Sequence, residues 1–363
     1  MQKINSLIQP IIHRVPIYAL SIGFPYVGLV NDQTLKIFDF VGYRTQLDTN
    51  AITEMYGPNR VQYYPDLAWL LPRWSSKKIN STIFQDVSII QENKNEKKVG
   101  IFLSNTIRNR NDLKSYNRIL NNLAYCISKM ADYKLSSKLY SKLKNKCTSG
   151  DGASNAKVYQ IYLISFSTNS QNPKEDDRLI NADLYSRIMK YSSSSKGKYN
   201  NVHLIESNVP VDEILPIFKN FYMTICTRFH AHIFSMIAKV PFLSIYSSRK
   251  VEDILTSHNL HEYSVKMDTN PVTMHPINLD TNTLIERFKN LVEKYNDYKN
   301  QLDRIYIQNI VKIDRFYDVM GNLIWTPLRN GTIDSANFQY QIDMRIKDIA
   351  TKIVKTLFPH QSN

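Results

Sequence analysis

Between Val99 and Tyr246 the chain alternates short apolar runs with segments of helical periodicity, and that alternation restricts its fold more than any other feature. Residues 99–103, 158–165, 202–205, 223–227 and 242–246 are apolar almost throughout, as strands covered on both faces are. Residues 117–130, 211–221 and 231–238, lying between them, carry the 3.6-residue spacing of helices. Strands alternating with helices in this way predict a parallel α/β sheet wound in both directions. Two polar inserts, residues 145–157 and the serine run 192–195, read as solvated loops.

Upstream, residues 1–14 have the spacing of a short amphipathic helix, and residues 17–22, 35–41 and 61–64 read as strands. Residues 49–56 read as a helix stopped by Gly57-Pro58. The polar stretch 91–98 reads as a linker. Downstream, the stripe of Leu284, Phe288, Leu291, Val292, Tyr295, Tyr298 and Leu302 predicts one long helix. A β-like piece around 323–325 and a last helix over 340–357 complete the reading. The expected division is a partial N-terminal domain over 1–95, a second domain over 96–280, and a helix and tail over 281–363 that pack back across both.

Composition removes several classes of function. Lys and Arg number 46 against 32 Asp and Glu, a net charge of +14 that favours anionic partners. Ten glycines occur, where usual abundance gives about 25. Neither GxGxxG nor GxxxxGK[ST] is present, which argues against a dinucleotide fingerprint and a P-loop. Cys126, Cys147 and Cys226 are too few and scattered for a disulfide framework or a cysteine-rich zinc site, so a cytoplasmic setting is expected. His258, His261 and His275 lack metal-ligand spacing, and no metal or cofactor is expected. No run approaches the roughly 18 apolar residues of a membrane-spanning helix. The basic segment from Lys134 to Lys146, with Tyr133 and Tyr140, reads as a solvated helix face in preference to a nucleic-acid surface.

The sharpest constellation is Thr227-Arg228-Phe229-His230-Ala231, where an apolar strand gives way to a helix. In a doubly wound sheet this is the carboxyl edge, where ligands bind. The helix start offers N–H groups and partial positive charge to an anion. Arg228 can fork two hydrogen bonds onto a phosphate or carboxylate, and His230 can carry a proton near neutral pH. The same pattern also fits a capping arginine and a histidine satisfied in the core.

Thr227-Arg228-Phe229-His230-Ala231, then Lys239-Val240-Pro241-Phe242 and Lys250, resembles the polysaccharide pyruvyl transferase superfamily. Earlier pieces are similar to that family's segments in the same order. They are Ser21-Ile22-Gly23-Phe24-Pro25, Gly42-Tyr43-Arg44, Tyr64-Pro65-Asp66-Leu67-Ala68, Val99 to Leu103, and Asp176-Asp177. The resemblance spans about residues 15–305. It implies two Rossmann-like domains facing a cleft, as in glycosyltransferases of the B type, with the N-terminal domain truncated. It implies transfer of the pyruvyl group of phosphoenolpyruvate onto two hydroxyls of a glycan, giving a ketal and phosphate. Arg228 and His230 carry over as the donor-pocket pair, and both are expected to be catalytic. Arg108, Arg110, Asn105, Lys250 and Asp177 carry over as further donor-binding candidates. The chain departs from the family in three places: it has no G-G-x-N-x-G-D opening, Thr45 follows Arg44 where the family has Asp, and Asp48 stands where it has Ser. The missing opening implies a remodelled acceptor half, or a second chain or copy that completes the first domain. The alternatives are a nucleotide-sugar glycosyltransferase of the same architecture and a non-catalytic descendant serving in assembly.

Overall fold

The structure, a computed structural model, describes residues 18–22, 40–44, 46, 49–59, 61–74, 97–108, 111–131, 133, 159–193, 201–206, 209 and 211–329. Arg110, the helix expected over 1–14, the Gly23-Phe24-Pro25 turn, the basic segment 134–146, the insert 145–157 and the tail beyond 329 lie outside these residues. So does most of the expected linker.

The chain divides into two compact units. One gathers the described residues within Met1–Trp74, Ser248–His261 and Arg304–Asp348; the other gathers those within Ser75–Ser247 and Glu262–Asp303.

The first unit holds a three-stranded parallel sheet, β1 (Tyr18–Ile22), β2 (Phe40–Tyr43) and β3 (Val61–Tyr63), in that order. Helix α1 (Thr49–Tyr56) crosses between β2 and β3 and buries Ile52 and Tyr56. It ends at Gly57, whose φ of 82° is the left-handed stop that the Gly-Pro pair announces. After β3, Asp66 caps a short 3₁₀ turn by accepting from the Ala68 N–H at 2.9 Å, and α2 (Leu71–Trp74) follows.

The second unit holds a six-stranded parallel sheet. Its strands are β4 (Lys98–Phe102), β5 (Gln160–Ile164), β6 (Val202–Ile205), β7 (Met223–Cys226), β8 (Phe242–Tyr246) and β9 (Ser264–Lys266), ordered β6-β5-β4-β7-β8-β9. The intervening helices are α3 (Leu113–Ala131), α4 (Asp177–Ser193), α5 (Val211–Lys219), α6 (Phe229–Ala238) and α7 (Arg249–Ser257). Of these, α7 belongs to the first unit. The order runs outward from β4 in one direction and then, from β7, in the other. With right-handed crossovers, that reversal puts helices on both faces and opens a switch point between β4 and β7. A short antiparallel pair, β10 (Asp268–Thr269) and β11 (Pro276–Asn278), follows. Helix α8 (Thr281–Glu293) packs on α3.

Three expectations change. The predicted long helix is two, α8 and α9 (Tyr295–Arg329), parted at Lys294. The β-like piece at 323–325 lies inside α9. Residues 177–193, of which the sequence reading assigns only 192–193, to a serine-run loop, form the 17-residue helix α4.

The core of the second unit is aromatic. Phe102 and Phe218 stack at 4.5 Å between centroids, and Phe166, Phe221 and Phe234 surround them. Gly100 on β4 makes room for this cluster, because a Cβ there would stand 2.8 Å from the buried Phe221 ring. Gly100→Ala is therefore expected to cost about 1–3 kcal/mol, the scale of overpacking a filled core. Urea unfolding measures it, and an unchanged midpoint counts against this packing.

Candidate functional site at the switch point

The site grows out of the loops that leave β4, β5 and β7. Ser104 and Thr227 tie two of them together: the Ser104 N–H donates to Thr227 Oγ1 at 2.7 Å, and the Thr227 N–H donates to the Phe102 carbonyl at 3.0 Å. The loop after β5 ends at Asp177, the first residue of α4, which is fully buried. The Asn105 N–H and the Ser167 N–H each donate to its carboxylate at 3.0 Å. Arg228 donates to it twice, Nε and Nη2 each at 2.5 Å.

The structure thus joins Asn105, Asp177 and Arg228 in one hydrogen-bonded cluster, although Asp177 and Arg228 are 51 residues apart. It also corrects the expected role of the arginine fork, which grips Asp177 where a phosphate was expected. The Arg228 side chain keeps 23% of its surface exposed, and Nη1 has no hydrogen-bond partner among the described residues. That edge is what it can offer a ligand. Burial pushes the Asp177 carboxyl up from its ordinary value, while Arg228 and the two backbone N–H groups pull it back. Each of its oxygens faces two donors, so a proton on either would point at an N–H. The ionised form is the one that fits.

Asn105 is buried and donates its side-chain amide to the Pro173 carbonyl, latching the 173–177 loop. It is a brace for Asp177 and does not face outward. Arg108 closes the 3₁₀ turn after β4 and lies 5.8 Å from the Tyr116 ring. Its Nε has no hydrogen-bond partner and it has no carboxylate partner among the described residues. That leaves its charge available to an anion.

Helix α6 starts at Phe229, with Arg228 as its N-cap in extended conformation. His230 is half-buried in its first turn, lying over Phe234 at 6.2 Å and against the edge of Phe229 at 5.4 Å. Two residues further on, His232 is fully buried, a residue to which the sequence pattern gave no role. Its Nδ1 lies 2.7 Å from the Arg228 carbonyl and its Nε2 2.8 Å from Ser244 Oγ.

Lys250 belongs to the first unit, with Arg44 and Asp66. Arg44 is ion-paired to the buried Asp66. The two are 22 residues apart, Asp66 lying after β3. Partial burial, and then Arg44, lower the Lys250 ammonium below its ordinary value, against the pull of Asp66. Among the described residues no group of three or more His, Cys, Asp or Glu could hold a metal ion, and no helix is long and apolar enough to cross a membrane.

A six-stranded, doubly wound parallel sheet gives this chain the fold of the B-type glycosyltransferases and the epimerases that share it. A solved structure from Listeria monocytogenes, described as a UDP-N-acetylglucosamine 2-epimerase, aligns over 88% of this chain and 77% of its own, with a TM-score of 0.50 and 10% identity. A UDP-GlcNAc 2-epimerase from Neisseria meningitidis aligns over 82% and 70%, with a TM-score of 0.48 and 14% identity. A trehalose-phosphate synthase from Burkholderia vietnamiensis aligns over 88% and 72%, with a TM-score of 0.45 and 11% identity. No curated protein matches the chain in sequence. Within this architecture the chain belongs to the polysaccharide pyruvyl transferase family, whose model matches residues 7–249. The match takes in Arg228 and His230 and stops one residue short of Lys250.

Proposed function

We propose that this protein transfers the pyruvyl group of phosphoenolpyruvate to two hydroxyls of a glycan. The observation that carries this reading is the β7–α6 turn. The family's Arg-x-His pair stands there at the switch point of the sheet, and on the neighbouring β4 loop is Arg108, which has no carboxylate partner among the described residues. A compact trianion suits such a place, because guanidinium groups and a helix N-terminus offset its charge together. In the reaction a proton adds to the donor's methylene carbon, and C2 becomes an oxocarbenium-like centre. One sugar hydroxyl adds to C2 and loses its proton. The C2–O bond to phosphate then breaks, phosphate leaves with a proton, and the second hydroxyl closes the ketal, losing its own. In this reading His230, an imidazole able to carry a proton near neutral pH, gives or takes one of these protons. Arg228 bears on the donor through its Nη1 edge while Asp177 holds the rest of the fork.

The occupied fork is also the observation that favours a second reading, a family member that has kept the fold and given up turnover. Phosphate release from phosphoenolpyruvate with a mixed glycan acceptor separates the two. Release supports transfer, and its absence supports the second reading. Stabilisation by UDP-N-acetylglucosamine alone would instead support a nucleotide-sugar enzyme. If transfer holds, Arg108→Ala is expected to weaken phosphoenolpyruvate binding by about 1.5–3 kcal/mol, the scale of a hydrogen bond to a charged group. Calorimetric titration reads this directly, and unchanged affinity would remove Arg108 from the site.

A further inference from the structure

We infer that His232 is a positioning residue for the pyruvyl-transfer site. Its imidazole bolts the Arg228 peptide to β8, so that the Arg228 and His230 side chains leave the turn in one fixed orientation. The inference rests on the transfer reading for its kinetic part only.

The need for such a device is visible in the turn itself. An N-cap residue usually fixes a helix start by accepting an N–H with its own side chain. Arg228 occupies that position with φ −82° and ψ 135°, and its side chain makes no cap bond, because a guanidinium has no acceptor. Its carbonyl is held instead. It accepts the Ala231 N–H at 3.1 Å, the His232 N–H at 3.4 Å and His232 Nδ1 at 2.7 Å. A carbonyl only accepts, so the ring proton sits on Nδ1. In the neutral ring Nε2 then carries a lone pair, and Ser244 Oγ–H donates to it at 2.8 Å. Ser244 lies on β8 opposite Cys226, the last residue of β7. The imidazole therefore spans from the helix start to the strand beside it. The edge-on Phe242 ring, at 5.4 Å and 90°, fixes its plane, and no part of the residue is exposed. Two residues on the same turn depend on this peptide: Arg228, whose fork must meet Asp177, and His230, whose ring must lie on Phe234.

A pair of substitutions separates this role from simple core filling. An Asn amide nitrogen takes the place of Nδ1, while a Gln amide reaches the place of Nε2. His232→Asn keeps the donor to the Arg228 carbonyl, and His232→Gln keeps only the partner of Ser244. In the full chain, with phosphoenolpyruvate and glycan acceptor, His232→Gln is expected to lower kcat at least tenfold with little change in KM for the donor. His232→Asn is expected to restore kcat to within about threefold of the parent. Equal losses in the two variants would overturn the inference while leaving the transfer reading intact. A second measurement needs no turnover: a double-mutant cycle of His232→Gln with Arg228→Lys, read by urea unfolding. Losses in midpoint that fall short of additivity support the tether, and additive losses overturn it. An inactive parent protein with a coupled cycle would sink the transfer reading and keep the positioning role.

Discussion

Asp177→Ala is expected to lower the stability of the second unit by about 3–5 kcal/mol, the range seen when one partner of a buried ion pair is removed. The reason is the completeness of the site. Four donors converge on a carboxylate with no solvent exposure: two from Arg228 and one each from the Asn105 and Ser167 backbones. Deleting it strands the buried Asn105 N–H at a cost of about 1–3 kcal/mol, and the half-buried Ser167 N–H at less, besides releasing the guanidinium. Arg228, being partly exposed, recovers some of its share by turning to water, which keeps the total from rising further. Asp177→Asn is expected to fare little better, because an amide offers one accepting oxygen and points its nitrogen at donors. Urea unfolding of both variants against the parent is the measurement. A loss under about 1 kcal/mol in both would mean that the cluster is not holding the three loops together.

That cluster also marks where reading the sequence stops. The parallel sheet was legible because its strands are apolar on both faces, and residues 242–246 were placed without error. Helix α4 was not. Its buried stripe of Ile180, Leu184 and Ile188 is narrow, and a buried polar residue interrupts it, Asn181, which donates to Ser165 Oγ at 3.2 Å. The break between α8 and α9 carries no Gly or Pro, and the apolar spacing runs on through Tyr295 and Tyr298. The place of Arg228 and His230 at a strand-to-helix turn was legible from the pattern, but the pattern fitted a capping arginine and a core histidine equally well, and their expected role came from the family resemblance. The partner of Arg228 was named, but its purpose was not, since only the topology brings the end of the β5 loop to the β7 turn. Lys250 follows β8 so closely in the chain that it reads as part of the same domain, yet its helix belongs to the other unit. His232 carried no signal at all. A lone histidine one turn into a helix is indistinguishable from core filling until the carbonyl and the hydroxyl on either side of it are known.

The same histidine makes the stability of the protein sensitive to acid. Burial, the largest effect, pushes the His232 imidazolium down from 6.5 to about 4, with the Arg228 and Phe229 backbone opposing. Above about pH 6.5 the ring is neutral in both folded and unfolded chains, and the full stability is present. Between about 6.5 and 4 the unfolded chain binds a proton that the folded one does not, so stability falls as the pH falls. Below about 4 both states are protonated and the loss levels off. The complete fall is on the order of 3 kcal/mol, of which about 2 appears between pH 7 and pH 5. His258, in the first unit, is held down to about 4 by burial and by Lys312, and it adds a fall of the same sign. Urea unfolding of the parent and of His232→Gln at pH 7 and pH 5 separates the two contributions. The variant starts lower but is expected to lose about 2 kcal/mol less on acidification, with the His258 share still present. Equal losses in both proteins would show that the His232 ring takes up its proton as readily folded as unfolded, and that the path from Arg228 to Ser244 is open to water.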